Sequence, residues 1–109
     1  MLIIQDGNFT FSKHHTYGPI QQTKDHGPFN ANVKRAYAVL SGTEFGFSPP
    51  DDHHLGRVTV NVTAHPIGNI VHVVSNFGVR DWSGDWDDSY EGNVQYTVFI
   101  ELEDVKPRA

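Results

Sequence analysis

The sequence lacks cysteine and has no long apolar run. Without cysteine the chain cannot form a disulfide bond, a thiolate nucleophile or a cysteine-ligated zinc site. Its longest apolar stretches are as short as Ile70–Val74, and even this one is interrupted by His72. A membrane-spanning helix needs about 20 apolar residues. Met1–Ile4 carries no basic residue and opens no extended apolar segment, so we expect neither a membrane span nor a signal peptide. Two locations are compatible with the sequence, namely the cytoplasm and the outside of the cell after export by a route that uses no signal peptide.

Basic residues are also scarce. The 8 lysines and arginines stand against 13 aspartates and glutamates, which gives a formal net charge of −5 at pH 7. The basic residues are scattered along the chain, which argues against nucleic acid as a partner because a phosphate backbone requires a basic stripe. The sequence is rich in one titratable residue, with 7 histidines. Their protonation at about pH 6 would nearly cancel the net negative charge.

Apolar and polar side chains alternate along most of the sequence. In Arg57–Ala64 the valines and Ala64 share one face, and Asn93–Glu103 alternates in the same way. Successive side chains of a strand point to opposite faces, so the pattern is typical of half-buried antiparallel strands. Similar alternation occupies Asn8–Ser12, Val33–Ser41 and Asn69–Val79.

Turn-forming residues separate these runs. Examples are Gly27-Pro28, Ser48–Asp52 and His65–Asn69, and no segment reads as a linker between domains. The sequence therefore predicts one all-β domain over residues 1–109, folded as a single antiparallel β-sandwich of about six strands. A closed barrel is the alternative architecture.

The segment Arg80–Gly92 is the richest in polar and aromatic side chains, and it is longer than a hairpin connection needs. Sugar sites combine an aromatic ring against the C–H face of the ligand with polar groups that bind its hydroxyls. In this interpretation the ring residues and carboxylates that form the site are Trp82, Asp85, Trp86, Asp87, Asp88 and Tyr90.

Two other interpretations of this segment stay open. Asp85, Asp87, Ser89 and Glu91 alternate as oxygen ligands of calcium can, so calcium, with Asp85, Asp87 and Glu91 as its carboxylate ligands, is the one cofactor that the sequence suggests. An EF-hand is excluded, because its sixth position requires glycine and counting from Asp81 or Asp85 places an aromatic residue there. Alternatively the segment is structural, with turn-forming aspartates and rings that cover the end of the sandwich.

Catalytic motifs are missing. Ser41-Gly42 and Ser83-Gly84 lack the setting of a nucleophile elbow, and no glycine motif that binds phosphate is present. Paired carboxylates occur only inside the acidic segment. We therefore expect that the protein is not an enzyme.

The segment Phe29–Glu101 resembles the H-type lectin domain, the fold of snail agglutinins and of the discoidin C-terminal domain. The resemblance rests on Phe29 before the apolar strand Arg35–Gly42, on Leu55-Gly56-Arg57-Val58 opening a central strand, and on the last alternating strand Gln95–Ile100. The sequence departs from the family in its longer Trp-bearing loop, in Phe99 where tryptophan is common, and in having no disulfides.

This resemblance implies a small β-sandwich that assembles as a homotrimer, with galactose-type sugars bound between neighbouring protomers. By position it gives Arg57 the role of a hydrogen-bond donor to sugar, and gives Trp82 or Trp86 a stacking role with Asp87 or Asp88 beside it. The sequence thus predicts a carbohydrate-binding, lectin-like module that forms a homo-oligomer. The alternative is a structural or assembly module, such as a trimeric knob or fibre-associated domain, whose acidic loop binds calcium.

Overall fold

The computed structural model describes residues 1–14, 18–47, 55–82 and 90–104, and for residues 12–14 it describes the backbone alone. Six β-strands account for most of this part of the chain. They are β1 (Leu2–His14), β2 (Ile20–His26), β3 (Val33–Phe47), β4 (Leu55–Ile67), β5 (Ile70–Asp81) and β6 (Tyr90–Leu102). No residue within the described ranges is helical, and accordingly none of them forms a helix that would cross a membrane.

The strands form two three-stranded antiparallel sheets that pack against each other. Sheet A has the order β1-β6-β3 and sheet B has the order β2-β5-β4. The central strands β6 and β5 are therefore paired on both sides, and the other four are edge strands. The predicted six-stranded antiparallel β-sandwich is confirmed, and the alternative of a closed barrel is wrong because each sheet keeps two open edges.

The core lies between the two central strands. The inward side chains of β5 and β6 are almost completely buried, and Phe9 and Phe11 of β1 join them. The Phe11 and Phe77 rings stack with centroids 4.8 Å apart, which ties sheet A to sheet B. The alternation predicted for these strands is confirmed by burial, since Val94, Val98 and Ile100 are fully buried while Gln95 and Phe99 face outward.

Two local predictions were incomplete. Ile20–His26 forms β2 although the sequence shows no apolar alternation there, because its inward positions hold Gln22, Lys24 and His26. The segment His65–Asn69, expected to break the chain, is mostly strand: β4 continues to Ile67, and only Gly68 and Asn69 turn. Pro66 is tolerated because β4 is an edge strand, and Gly68 adopts the left-handed conformation (φ 60°) that the tight turn requires.

The molecule is elongated. Its radius of gyration is 17.4 Å, against about 13 Å for a compact domain of this length. At one end, which we call the loop end, β1 and β3 finish beside the first residue of β6, since His14 and Phe47 both pair with Tyr90. At the same end of sheet B, Asp81, the last residue of β5, pairs with Leu55, the first residue of β4.

Candidate functional site

Arg57 and Trp82 lie at the same end of sheet B although 24 residues separate them in the sequence. Arg57 is an exposed residue near the start of β4, and its partner across the strand pair is Arg80 of β5. Trp82 directly follows the last residue of β5 and is 74% exposed. An exposed indole ring and a guanidinium at the same end of a sheet can supply an apolar face and hydrogen-bond donors, the combination that a sugar ring requires.

A bulge at Gly56 sets this arrangement. The register of β4 against β5 shifts between Leu55 and Arg57. Gly56 lies so close to the backbone of Asp81 and Trp82 that a Cβ at this position would overlap with it. Bulges of this kind bend a strand and re-aim its side chains, and here the bulge brings the start of β4 against the turn that carries Trp82.

Two arginines lie opposite each other across the strand pair at this corner of the sheet. Directly opposed residues of neighbouring strands have Cβ atoms about 5 Å apart, and like charges in that position repel each other. Arg57 is exposed and forms no ion pair with the residues that the structure describes. A hydroxyl-rich or anionic group bound here would receive charge-assisted hydrogen bonds.

A polar strip continues from this corner along the outer face of sheet B. It consists of Thr59, Asn61, Thr63 and His65 on β4 with His72 and Asn76 on β5. Several of these side chains bind each other: Asn76 donates from its side-chain amide to Asn61 Oδ1 at 3.1 Å, and Thr63 contacts His65 at 3.0 Å. On the other side of β5, His72 is paired with Asp25 of β2.

Tyr90 does not belong to this surface. It is fully buried, its ring packs against Phe77 with centroids 5.9 Å apart, and its hydroxyl donates to the carbonyl oxygen of Gly18 at 3.0 Å. Its interpretation as a ligand-binding residue is therefore corrected to a core residue. Extending the alternation of Val94 and Tyr96 backward by two steps along β6 would have predicted this, because Tyr90 falls on the same inward face.

The remaining predicted residues divide into two groups. Asp85, Trp86, Asp87 and Asp88 lie outside the described residues, so their predicted roles in binding sugar or calcium stay predictions. Glu91 is exposed on β6 and pairs with Gly46 of β3, which places it on sheet A rather than beside Arg57. Among the residues that the structure describes, no group of three or more His, Asp or Glu side chains is placed to hold a metal ion.

Sequence reasoning missed an open cavity of about 780 Å³ on the loop end of sheet A. Its lining residues include Glu44, Phe45, Gly46, Glu91, Gly92 and Asn93. The signal in the sequence was Gly46, where a Cβ would have open space, whereas at Gly92 the Phe77 ring fills the space of a side chain. This cavity and the Arg57–Trp82 surface belong to different sheets, so they are separate candidate sites.

A partly buried polar cluster links the edges of the two sheets at β2. The His26 ring lies between Gln5 Oε1, 2.7 Å from Nδ1, and the Tyr96 hydroxyl, 2.6 Å from Nε2. A neutral ring that carries its proton on Nδ1 satisfies both contacts, by donating to Gln5 and accepting from Tyr96. Burial lowers the pKa of His26 below its ordinary value of 6.5, an effect that nearby Asp25 opposes. Burial also raises the pKa of Tyr96. The cluster is structural, because Tyr96 is only 1% exposed.

No family model matches the chain, and neither a curated protein nor a solved structure is detectably similar to it.

Proposed function

We propose that the chain is a non-enzymatic carbohydrate-binding module that works as a homo-oligomer. The observation that carries the proposal is the placement of Trp82, 74% exposed, beside the Gly56 bulge that leads into Arg57. In the proposed complex, Trp82 stacks on the C–H face of a sugar ring and Arg57 donates hydrogen bonds to its hydroxyls.

The polar strip extends the proposed site. Its hydroxyl and amide groups stand along β4 and β5 at the spacing of a strand, which repeats every second residue at about 6.6 Å. An oligosaccharide lying along the sheet would meet Thr59 and then the Asn61–Asn76 pair after leaving Arg57. Asp85, Trp86, Asp87 and Asp88 are proposed to complete the site from the segment that joins β5 to β6.

The test is binding of the purified chain to a glycan array, with titration of any hit in solution. We expect Arg57→Ala to weaken binding about 10- to 100-fold, because a hydrogen bond to a charged group contributes about 1.5–3 kcal/mol. Trp82→Ala is expected to weaken binding about tenfold. Both residues are exposed, so neither change should lower the melting temperature.

Two matched controls locate the site. Lys34→Ala removes an exposed cation from sheet A, and Phe45→Ala removes an exposed ring from the cavity of that sheet; both should bind as the unchanged chain does. Loss of binding in Phe45→Ala alone would move the sugar site to the cavity and refute the role of Arg57.

The alternative function is a structural or assembly module without a sugar ligand, and an array without hits from a folded oligomer would favour it. Measurements with calcium and with chelator distinguish two roles of the carboxylates, as metal ligands or as direct hydrogen-bond acceptors for sugar hydroxyls. If Asp85, Asp87 and Glu91 bind calcium, millimolar calcium should raise the melting temperature by mass action, and chelator should reverse the shift. Sugar binding that persists in chelator would instead leave these aspartates as direct hydroxyl acceptors.

A further inference from the structure

The outer face of sheet A is apolar over its middle. Ile4, Phe99 and Tyr37 stand side by side on β1, β6 and β3, because Phe99 pairs with both neighbours. Leu2 precedes Ile4 and Val39 follows Tyr37 on the same face. The exposed fractions of these five side chains, which we call the apolar patch, are 60% for Leu2, 57% for Ile4, 62% for Tyr37, 50% for Val39 and 37% for Phe99.

The outer face of sheet B has a different composition. In its middle it carries the polar strip, with only Val74 between threonines of the two edge strands. Both sheets are antiparallel, and such sheets usually expose polar side chains on the face that water covers. Sheet B follows this rule and sheet A departs from it. A contiguous exposed apolar surface on a small domain marks a contact with another macromolecule.

The charges at the corners of the apolar patch fit a second copy of the chain as the partner. Arg35 lies at one corner on β3, where it forms an ion pair with Glu101 at 2.7 Å. Asp6 lies at the diagonally opposite corner on β1, where it accepts a hydrogen bond from Thr97. Consider a two-fold axis that lies in the plane of the interface, passes through Phe99 and is perpendicular to the line from Arg35 to Asp6. This axis would place Arg35 of each copy against Asp6 of the other copy, so the contact would form twice. Opposite charges at exchanged corners are what a self-complementary surface requires.

We propose that two copies of this chain pack face to face through the outer faces of their A sheets, with the apolar patch at the centre. The contact is isologous, with Phe99 near the two-fold axis and the Arg35–Asp6 pairs at the rim. It deepens the homo-oligomer part of the proposed function by naming the surface, but it does not depend on sugar binding. It also sets the number of subunits at two, whereas the resemblance to the H-type lectins implies three.

Sedimentation equilibrium of the full chain tests the proposal without any sugar. From about 1 μM to about 1 mM, we expect the mass to approach twice the 12.2 kDa of one chain. Tyr37→Lys should raise the dissociation constant at least about 100-fold, because each substitution acts twice in an isologous dimer and places two new charges in a desolvated interface. A monomer at every concentration, or a trimer, would overturn the proposal.

Two further variants keep the result interpretable. Thr63→Lys makes the same kind of change on an edge strand of sheet B and should leave the dimer intact; dissociation in both variants would show that the interface is not the apolar patch. Asp6→Lys should weaken the dimer several-fold at low salt and less at high salt, because exposed charges are screened. Circular dichroism and thermal melting of each variant distinguish loss of the interface from loss of the fold.

Discussion

His26 faces inward from an edge strand, a place where a sandwich usually carries an apolar side chain. Its two ring nitrogens are both used, one on Gln5 of β1 and one on Tyr96 of β6. Because burial lowers the pKa of His26 below 6.5, the folded state keeps the ring neutral at a pH where the unfolded chain would already bind a proton. His26 is thus an acid-sensitive residue within the fold.

The free energy of unfolding should therefore fall as the pH is lowered. The contribution of His26 is complete above about pH 6.5, the pKa of the unfolded chain, and is lost progressively toward the lower pKa of the folded chain, because the unfolded state binds more protons in this range. Urea denaturation at about pH 7.5 and about pH 5.5 measures the change. In His26→Gln the loss should be clearly smaller than in the unchanged chain. His65→Gln, on the outer face, is the matched control, and equal losses in all three proteins would assign the acid sensitivity to other groups.

Single residues also show how far sequence reasoning reached at the site. The alternation of Arg57 with Thr59 and Asn61 correctly predicted its outward orientation, because the period-two rule depends only on the strand. The proximity of Arg57 to Trp82 depends on the Gly56 bulge and on the pairing of β4 with β5, and neither is encoded in a periodicity. Tyr90 was misplaced because it was grouped with the loop before it rather than with β6.

At the scale of elements, the contacts of the edge strand β2 with β1 explain why the sequence pattern did not predict β2. The alternation of apolar and polar residues was sufficient to predict β5 and β6, since one set of alternate side chains is buried in the core and the other set faces outward. β2 instead closes its side of the sandwich with hydrogen bonds: Gln22 donates to the carbonyl oxygen of Thr10 at 3.0 Å, and Lys24 donates to that of Asn8. Polar inward residues remove the apolar signal, although the strand pairs with β5 along its whole length.

The approach of β1 to the Tyr96 ring depends on Gly7. The Tyr96 ring, whose hydroxyl contacts His26, lies directly against Gly7, and a Cβ at Gly7 would overlap with the ring. Gly7→Ala should therefore lower the free energy of unfolding by about 1–3 kcal/mol, the usual cost of overpacking. Gly46→Ala is the matched control, since nothing lies within 4 Å of a Cβ at that position, and its effect should stay within about 0.5 kcal/mol. Urea denaturation compares the two, and equal effects would show that β1 shifts to accommodate the methyl group.

At the scale of the whole molecule, the two sheets have different outer surfaces. Sheet A presents the apolar patch and sheet B presents the polar strip with Arg57 and Trp82 at its end. In the proposed dimer, the A sheets lie in the interface and the B sheets face away from each other. The two proposed sugar sites then point in opposite directions, and this geometry decides what the dimer is able to do.

Two opposed sites cannot both reach one flat surface, and multivalent binding gains nothing when geometry forbids simultaneous engagement. We therefore expect the dimer to bind a flat glycan surface with the affinity of a single site, but to bridge separate particles. On beads coated with the glycan identified by the array, the unchanged chain should cause agglutination. Tyr37→Lys should bind the same beads without agglutinating them, because it is monomeric with an intact sugar site.

Arg57→Ala, which keeps the dimer, should bind the beads about 10- to 100-fold more weakly and agglutinate them correspondingly less. Each half of the proposal thus has its own variant: agglutination by Tyr37→Lys would contradict the dimer face, while binding by Arg57→Ala with the affinity of the unchanged chain would contradict the sugar site. If the unchanged chain instead bound a flat glycan surface about 100-fold more tightly than Tyr37→Lys does, the two sites would have to lie on the same side of the assembly. Packing through the A sheets does not allow that arrangement, because it leaves the two polar strips on opposite outer faces.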